Sequence, residues 1–330
     1  MVGATGVVGE TIVRVLEERS VPLRTLSPFA SRARDAAVRF RGAALDVRPT
    51  SERALCDFDV VFFASGEDAS ETYVPALVER GRVVIDNSAT YRMRAGVPLI
   101  VPEVNPGAMH PEDRLFPVAN CTAILLCTAL APVRDAAGLR SVRVATYQAA
   151  SGAGRPGLDE LLAGERAVAA GEPEPPAAVF PRPLARNVVP QVGAFDATGH
   201  SGEERKVREE TRKMLELPDL FVSVTAVRVP VRTAHSEAVF FETHRPTSVP
   251  ELTAAFERAP GVAFARDGIV TPREVEGTDL VHVARLRADD ECEPGTRFAL
   301  WCVGDQLRKG AATNAVQILE LLLAKGFVRA

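Results

Sequence analysis

The sequence predicts an α/β protein built in two parts, a helix-covered parallel sheet followed by an α+β region whose sheet is mainly antiparallel. Two observations predict it. Over the first 120 residues, short β-rich runs alternate with helical stretches, the pattern of parallel strands joined by crossover helices. Beyond Cys121 the β-rich runs lengthen and read as antiparallel strands. A chain of 330 residues has room for two cores, and 46% hydrophobic with 25% charged residues excludes a disordered, coiled-coil or collagenous protein.

The chain opens on Gly3-Ala4-Thr5-Gly6-Val7-Val8-Gly9, which runs into the helical stretch Glu10-Thr11-Ile12-Val13-Arg14-Val15-Leu16. Glycines at this spacing let the backbone turn tightly and approach a pyrophosphate at the positive end of the helix, as in a Rossmann-type dinucleotide domain. A Gly-rich turn without a ligand has the same local signature, so the strands that follow carry the assignment. Only Met1 and Val2 precede Gly3, whereas a central strand has about five residues. The expectation is therefore that the chain as written lacks most of its first strand. About 20 residues past the glycines an NAD site carries an acidic residue, whereas an NADP site tolerates arginine. Leu26-Ser27-Pro28-Phe29-Ala30-Ser31-Arg32-Ala33-Arg34 holds no acid and two arginines, so the expected cofactor is NADP. Arg32 is the stronger candidate, and Arg34 reads equally well as a solvated charge.

Residues 60–64 and 83–86 are the clearest buried strands, and 69–81 has the length and terminal glycine of a crossover helix despite Pro75. In the second region, 142–148, 221–231, 237–243 and 280–286 read as strands, and 165–183, rich in Ala, Glu and Pro, as a surface loop. Ala311, Ala315, Ile318, Leu319 and Leu322 recur at helical spacing, so the chain closes on an amphipathic helix. The domain expectation is 1–120, joined by the C-terminal helix of about 308–330, for the cofactor, and 121–307 for catalysis.

A net charge of −4 with scattered lysines and arginines gives no attraction for nucleic acid or an anionic membrane, so small molecules are the expected partners. The longest apolar run, 123–133, falls short of the ~20 residues of a bilayer span, and no signal or lipidation motif opens the chain. A cytoplasmic protein is expected.

The five cysteines, at 56, 121, 127, 292 and 302, form no CxxC pair and have no histidine at zinc-ligand spacing, which argues against disulfides and metal. Cys121, in Asn120-Cys121-Thr122, stands at the start of an apolar segment suited to a helix. A helix N-terminus stabilises a thiolate, making Cys121 a better nucleophile than the other four. Cys127 reads as core. A nucleophilic cysteine needs a proton partner. His110 lies in a loop-like stretch, His200 in a Gly-rich turn, His244 at a strand end and His282 within a strand. His235, in a short break between two strands, has the better chance of facing a cleft, although a lone loop histidine also reads as structural.

Here the chain resembles a known family. Asn120-Cys121-Thr122, Thr146-Tyr147-Gln148-Ala149-Ala150-Ser151-Gly152-Ala153-Gly154, Arg228-Val229-Pro230 with His235-Ser236-Glu237, and Gly304-Asp305-Gln306-Leu307-Arg308-Lys309-Gly310-Ala311 are, in order and spacing, similar to aspartate-semialdehyde dehydrogenase. The resemblance runs from Gly3 to the C-terminal helix.

It implies reductive dephosphorylation of L-4-aspartyl phosphate by NADPH to the semialdehyde, through a cysteine acyl-thioester, on the route to lysine, diaminopimelate, methionine, threonine and isoleucine. Carried over residue by residue, Cys121 is the nucleophile, His235 the acid/base, and Gln148 the residue that orients the acyl group. Arg228 clamps the substrate carboxylate, for which a planar two-pronged donor is suited. Glu203 and Lys206 contact the substrate amine and phosphate; their spacing puts them on one helix face, though an exposed salt bridge reads the same. Arg92 binds phosphate and Asn120 contacts substrate. Gly3, Thr5, Gly6, Val7, Val8, Gly9, Arg32 and Ala33 hold NADP, while Ser151, Gly152 and Gln306 lie near the nicotinamide. Ala33 stands where the family carries a serine, which weakens the NADP preference slightly; Ala119, Ala123 and Leu125 also depart from its pattern. The family implies a homodimer or tetramer, paired through the strands beyond Cys121. Alternatives are an N-acetyl-γ-glutamyl-phosphate reductase, a scaffold that has lost catalysis, and a Cys/His hydrolase needing no dinucleotide.

Overall fold

The computed structural model describes residues 1–31, 37–289 and 294–329 and divides into two compact units, Met1–Asn120 with Ala311–Ala330, and Cys121–Gly310. Elements of the first unit are α1 (Val7–Glu18), β1 (Phe29–Ala30), β2 (Ala37–Phe40), β3 (Ala43–Asp46), β4 (Arg48–Pro49), α2 (Glu52–Leu55), β5 (Val60–Phe63), α3 (Glu67–Glu79), β6 (Val83–Asp86) and β7 (Leu115–Pro117). Strands β5, β6 and β7 pair in parallel, as do β1 and β4. Val2 bridges Phe29 on one side and Phe63 on the other, which places it at the central position of the sheet. Helix α3 begins two residues earlier than the pattern suggested and keeps Pro75 inside. Phe29, Phe63, Leu55, Leu77 and Val84 make the core. Fully burying side chains of this size contributes about 1.5–3 kcal/mol each.

The C-terminal helix packs in this unit. Its buried face carries Ala315, Ile318, Leu319 and Leu322, Asn314 Nδ2 donates to the Ile100 carbonyl at 3.1 Å, and Arg19 pairs with Glu320 at 2.7 Å. Strands β2 and β3 form an antiparallel hairpin, and Arg32, Ala33 and Arg34 fall outside the described residues.

The second unit comprises α4 (Cys121–Ala137), β8 (Leu139–Gln148), α5 (Gly154–Ala170), α6 (Gly202–Met214), β9 (Phe221–Arg228), β10 (His235–Thr247), α7 (Val249–Arg258), β11 (Val262–Phe264), α8 (Pro272–Val275), β12 (Val281–Ala288) and β13 (Gly295–Gly304). Its six-stranded sheet runs β11-β12-β13-β10-β8-β9. The three central pairings are antiparallel, but β8–β9 and β11–β12 are parallel, so the strands 142–148 and 221–231 do not pair as expected. The chain between β8 and β9 passes through α5 and α6, long enough to return to the same end of the sheet. The expected loop at 165–183 is also corrected: α5 continues to Ala170 and ends at Gly171 with φ 72°. Glu165, Arg166, Ala167, Ala169 and Ala170 are helix formers, and the loop signal belongs to the Pro-rich remainder.

Helix α4 is buried almost all round, the mark of a helix inside the core rather than on its surface. One sheet face lies against it through Val239 and Phe241. The opposite face leaves Tyr147 and Phe240 partly exposed, with Tyr147 packed against Trp301 at 5.4 Å between ring centres. Among the described residues no helix is long and apolar enough to cross a membrane.

Candidate active site

Cys121 is the first residue of α4 and half-buried, with its Sγ 4.0 Å from the Thr122 hydroxyl. The other described cysteines differ in kind. Cys127 and Cys302 are fully buried and burial pushes both thiols up, which keeps them protonated and inert. Cys56 lies in the first unit, and Cys292 is outside the described residues.

Gln148 ends β8 and is buried. Its Nε2 donates to Thr122 Oγ1 at 2.9 Å and to Glu203 Oε1 at 3.0 Å, while its Oε1 accepts from the Thr146 hydroxyl at 3.2 Å. The amide is thus tied to the residue after the nucleophile and to the first turn of α6. That turn is set by a capping box, with Ser201 and Glu204 satisfying each other's backbone N–H groups. Glu203 is half-buried and Lys206 is exposed on the same helix.

Arg228 ends β9, and its Nη1 donates to the Ala149 carbonyl at 2.6 Å. Burial lowers its pKa, and the neighbouring Glu203 carboxylate and Cys121 sulfur counteract this. A guanidinium so placed stays charged and puts positive potential beside the thiol. His235 was expected in a break between strands; the break is residues 229–234, and His235 is the fully buried first residue of β10. Its Nδ1 accepts the Ala149 N–H at 3.0 Å, which leaves the ring proton on Nε2. Nε2 has no protein partner among the described residues. Burial, and then the Arg228 charge, hold the imidazole well below its usual pKa, so it is neutral. With the imidazole neutral, the cation beside Cys121 is Arg228.

Gly152 is where these groups meet. A Cβ placed there would stand 2.8 Å from Arg228 Nη1 and 3.2 Å from His235 Nε2, so glycine keeps the space in front of both open. Gln306 and Ser151 are buried beside it and joined by a 2.6 Å hydrogen bond. Gly310 is a residue that sequence reasoning left without a role. It lies in a π-helical turn, Arg308–Thr313, and a Cβ on it would sit 2.8 Å from that of Cys121. A glycine inside a helical pattern is the available signal for such a close approach. Thr122 and Ala149 were also missed, because their parts are played by a hydroxyl and a backbone amide that spacing does not reveal.

In the first unit, Gly3 has φ 76° and a Cβ there would collide with the Ala64 carbonyl, while one on Gly9 would meet Ala4 Cα at 2.8 Å. Gly6 is the N-cap of α1 and offers no side-chain cap. The exposed glycine, the half-exposed Thr5, Val7 and Val8, and the uncapped N–H groups form a cradle that fits a pyrophosphate. Arg92 is half-buried here, donating to the Asn87 carbonyl at 2.9 Å, and Asn120 is buried just before Cys121. Cys121, Gln148, Ser151, Gly152, Glu203, Arg228, His235 and Gln306 all lie in the second unit. Among the described residues no cluster of metal ligands occurs.

Comparison with known proteins follows this division. A family model for the NAD binding domain of semialdehyde dehydrogenases matches residues 1–111, and one for their dimerisation domain matches residues 130–309. The aspartate-semialdehyde dehydrogenase of Aquifex aeolicus (strain VF5) is 39% identical over 336 residues, spanning 99% of this chain and 98% of the relative. That of Bacillus subtilis (strain 168) is 37% identical, spanning 98% and 96%. Among solved structures, aspartate semialdehyde dehydrogenase II from Vibrio cholerae complexed with ASA superposes with a TM-score of 0.93 at 37% identity, over 98% of this chain and 97% of that one.

Proposed function

This chain belongs to the aspartate-semialdehyde dehydrogenase family, and from that premise we propose how its residues carry out the reaction. It is an oxidoreductase that converts L-4-aspartyl phosphate to L-aspartate 4-semialdehyde with NADPH, in the biosynthesis of lysine, methionine, threonine and isoleucine. The observation that carries the residue assignment is the convergence of Arg228 and His235 Nε2 on Gly152, with Cys121 at the start of α4 in electrostatic reach of Arg228.

The Cys121 thiolate attacks the acyl carbon, a C–S bond forms, and the C–O bond to phosphate breaks. Positive potential from Arg228 and the N-terminal end of α4 favours the thiolate before attack. His235 Nε2–H donates to the carbonyl oxygen as negative charge builds on it, and takes the proton back when the C–S bond breaks to release the aldehyde. Gln148 is held by Thr122, Thr146 and Glu203, so it presents a fixed amide beside the thioester. Arg228 also binds the substrate α-carboxylate, Glu203 its ammonium group, and Arg92, Lys206 and Asn120 the phosphate and remaining polar groups.

When bound, the nicotinamide of NADPH supplies the hydride that reduces the thioester carbon. Gly3, Thr5, Gly6, Val7, Val8 and Gly9 hold the pyrophosphate, and Arg32 with Ala33 the 2′-phosphate. Ser151, Gly152 and Gln306 border the nicotinamide. The partly exposed sheet face bearing Tyr147 and Phe240 joins two copies into a homodimer, which a tetramer would contain twice. A cytoplasmic location fits a soluble substrate and cofactor.

A phosphate-dependent assay with aspartate semialdehyde tests the reading. Reduction of NADP should depend on phosphate and exceed that of NAD; N-acetylglutamate semialdehyde should be turned over far less. Equal use of the two semialdehydes, or ester cleavage without a nucleotide, would sink it.

A further inference from the structure

We infer that Gln306 is a positioning residue for His235: its amide holds Ala234 in the left-handed conformation that sets how the chain enters β10. Six described residues other than glycine have positive φ, and five of them are exposed, four at turns and Arg285 at a bulge in β12. The sixth is Ala234, with φ 69°, fully buried, and directly before His235. A left-handed L-residue is disfavoured by contact between Cβ and backbone, and such strain persists only where surroundings enforce it.

What enforces it is visible. The Ala234 N–H donates to Gln306 Oε1 at 2.7 Å, and Gln306 Nε2 donates to Ser151 Oγ at 2.6 Å. Both ends of the amide are thereby occupied, and all three residues are buried. Gln306 is itself presented by a rigid turn, because Asp305 accepts from the backbone N–H groups of Gly277, Leu307 and Arg308. Around it the segments 149–151 and 231–235 are stitched together: Ala150 N–H to the Val231 carbonyl, Ser151 N–H to the Arg232 carbonyl, and Ala149 N–H to His235 Nδ1. The last of these bonds sets the histidine tautomer. Rotation of Ala234 out of the left-handed region would carry His235 away from Ala149 and Gly152, and with it the Nε2 proton.

This assignment rests on His235 being the acid/base, and it competes with the reading in which Gln306 chiefly contacts the nicotinamide. The two separate in a mutant cycle on the full-length enzyme. Gln306→Ala should lower kcat about tenfold or more, while the KM for NADPH stays within about threefold. Ala234→Gly in that background should restore kcat about fivefold, the factor matching relief of ~1 kcal/mol of left-handed strain, because glycine keeps φ positive without a clamp. Ala234→Gly alone supplies the reference, and its effect should be smaller than in the double variant. Gln306→Met, which keeps the side-chain length but neither hydrogen bond, replaces Gln306→Ala if that variant does not fold. A raised KM for NADPH with kcat unchanged, or no recovery in the double variant, overturns the inference. His235→Ala is measured alongside. If it retains turnover, the acid/base reading itself fails; if it is inactive and the cycle shows no recovery, only the role of Gln306 fails.

Discussion

At the residue scale, function depends on which titratable groups the fold keeps charged. Cys121 is the described cysteine that combines a helix N-terminus with a neighbouring guanidinium, whereas Cys127 and Cys302 are held protonated by burial. Cys121→Ala should abolish turnover, by about 10⁴-fold or more, while NADPH still binds, as fluorescence titration would show. Appreciable residual activity would contradict the nucleophile assignment. Glu237 is the other telling group. It is fully buried two residues after His235, neither carboxylate oxygen has a partner among the described residues, and burial holds its pKa well above the usual carboxylate range. Above pH 4.5 the unfolded chain releases this proton while the native state keeps it, so the group lowers stability as pH rises toward its native pKa. Glu237→Gln removes that dependence. Urea unfolding at pH 5 and pH 8 should show the variant gaining on the wild type with increasing pH, by up to ~1.4 kcal/mol per pH unit. An equal difference at both pH values would mean that Glu237 is ionised in the native protein.

At the element scale, the active site is a set of terminations. The nucleophile begins α4, Gln148 ends β8, Arg228 ends β9, His235 begins β10 and Gln306 follows β13. Ends of parallel and antiparallel strands on one side of a sheet are where side chains leave the core without breaking the ladder. The π-helical turn at 308–313 belongs to this set, since Gly310 lets it press against the first residue of α4. Gly310→Val should displace the start of α4 and lower kcat by about 10²-fold, with slower alkylation of Cys121 by iodoacetamide as the independent readout. Unchanged alkylation and turnover would show that the contact is easily relieved. Much of this level was legible beforehand: the helix at Cys121, the strand before Gln148 and the closing helix follow from apolar pattern and turn residues. The parallel pairing of β8 with β9 was not, because strand direction depends on a connection of more than seventy residues whose path no local pattern encodes.

At the scale of the whole molecule, the outer face of the six-stranded sheet carries exposed aromatic side chains that a monomer would leave in water. In a chain matched over 130–309 by a dimerisation domain, that face is the expected contact between copies. Phe240→Glu should weaken self-association, read by light scattering across a dilution series, because the contact would then bury a carboxylate from each copy. A variant that stays as large as the wild type at every dilution would place the interface elsewhere.

The sequence by itself determined the chemistry available: a glycine turn for a dinucleotide, one cysteine at a helix start, and the residue types able to clamp a carboxylate and move a proton. These are legible because backbone sterics and helix dipoles act over a few residues. Only the tertiary structure decided that His235 is neutral with its proton on Nε2, that Arg228 is the cation beside the thiol, and that Ala234 is held left-handed by Gln306. Each of those depends on desolvation and on hydrogen bonds between residues some seventy or more positions apart, and burial is a property of the folded molecule, absent from any local stretch of chain.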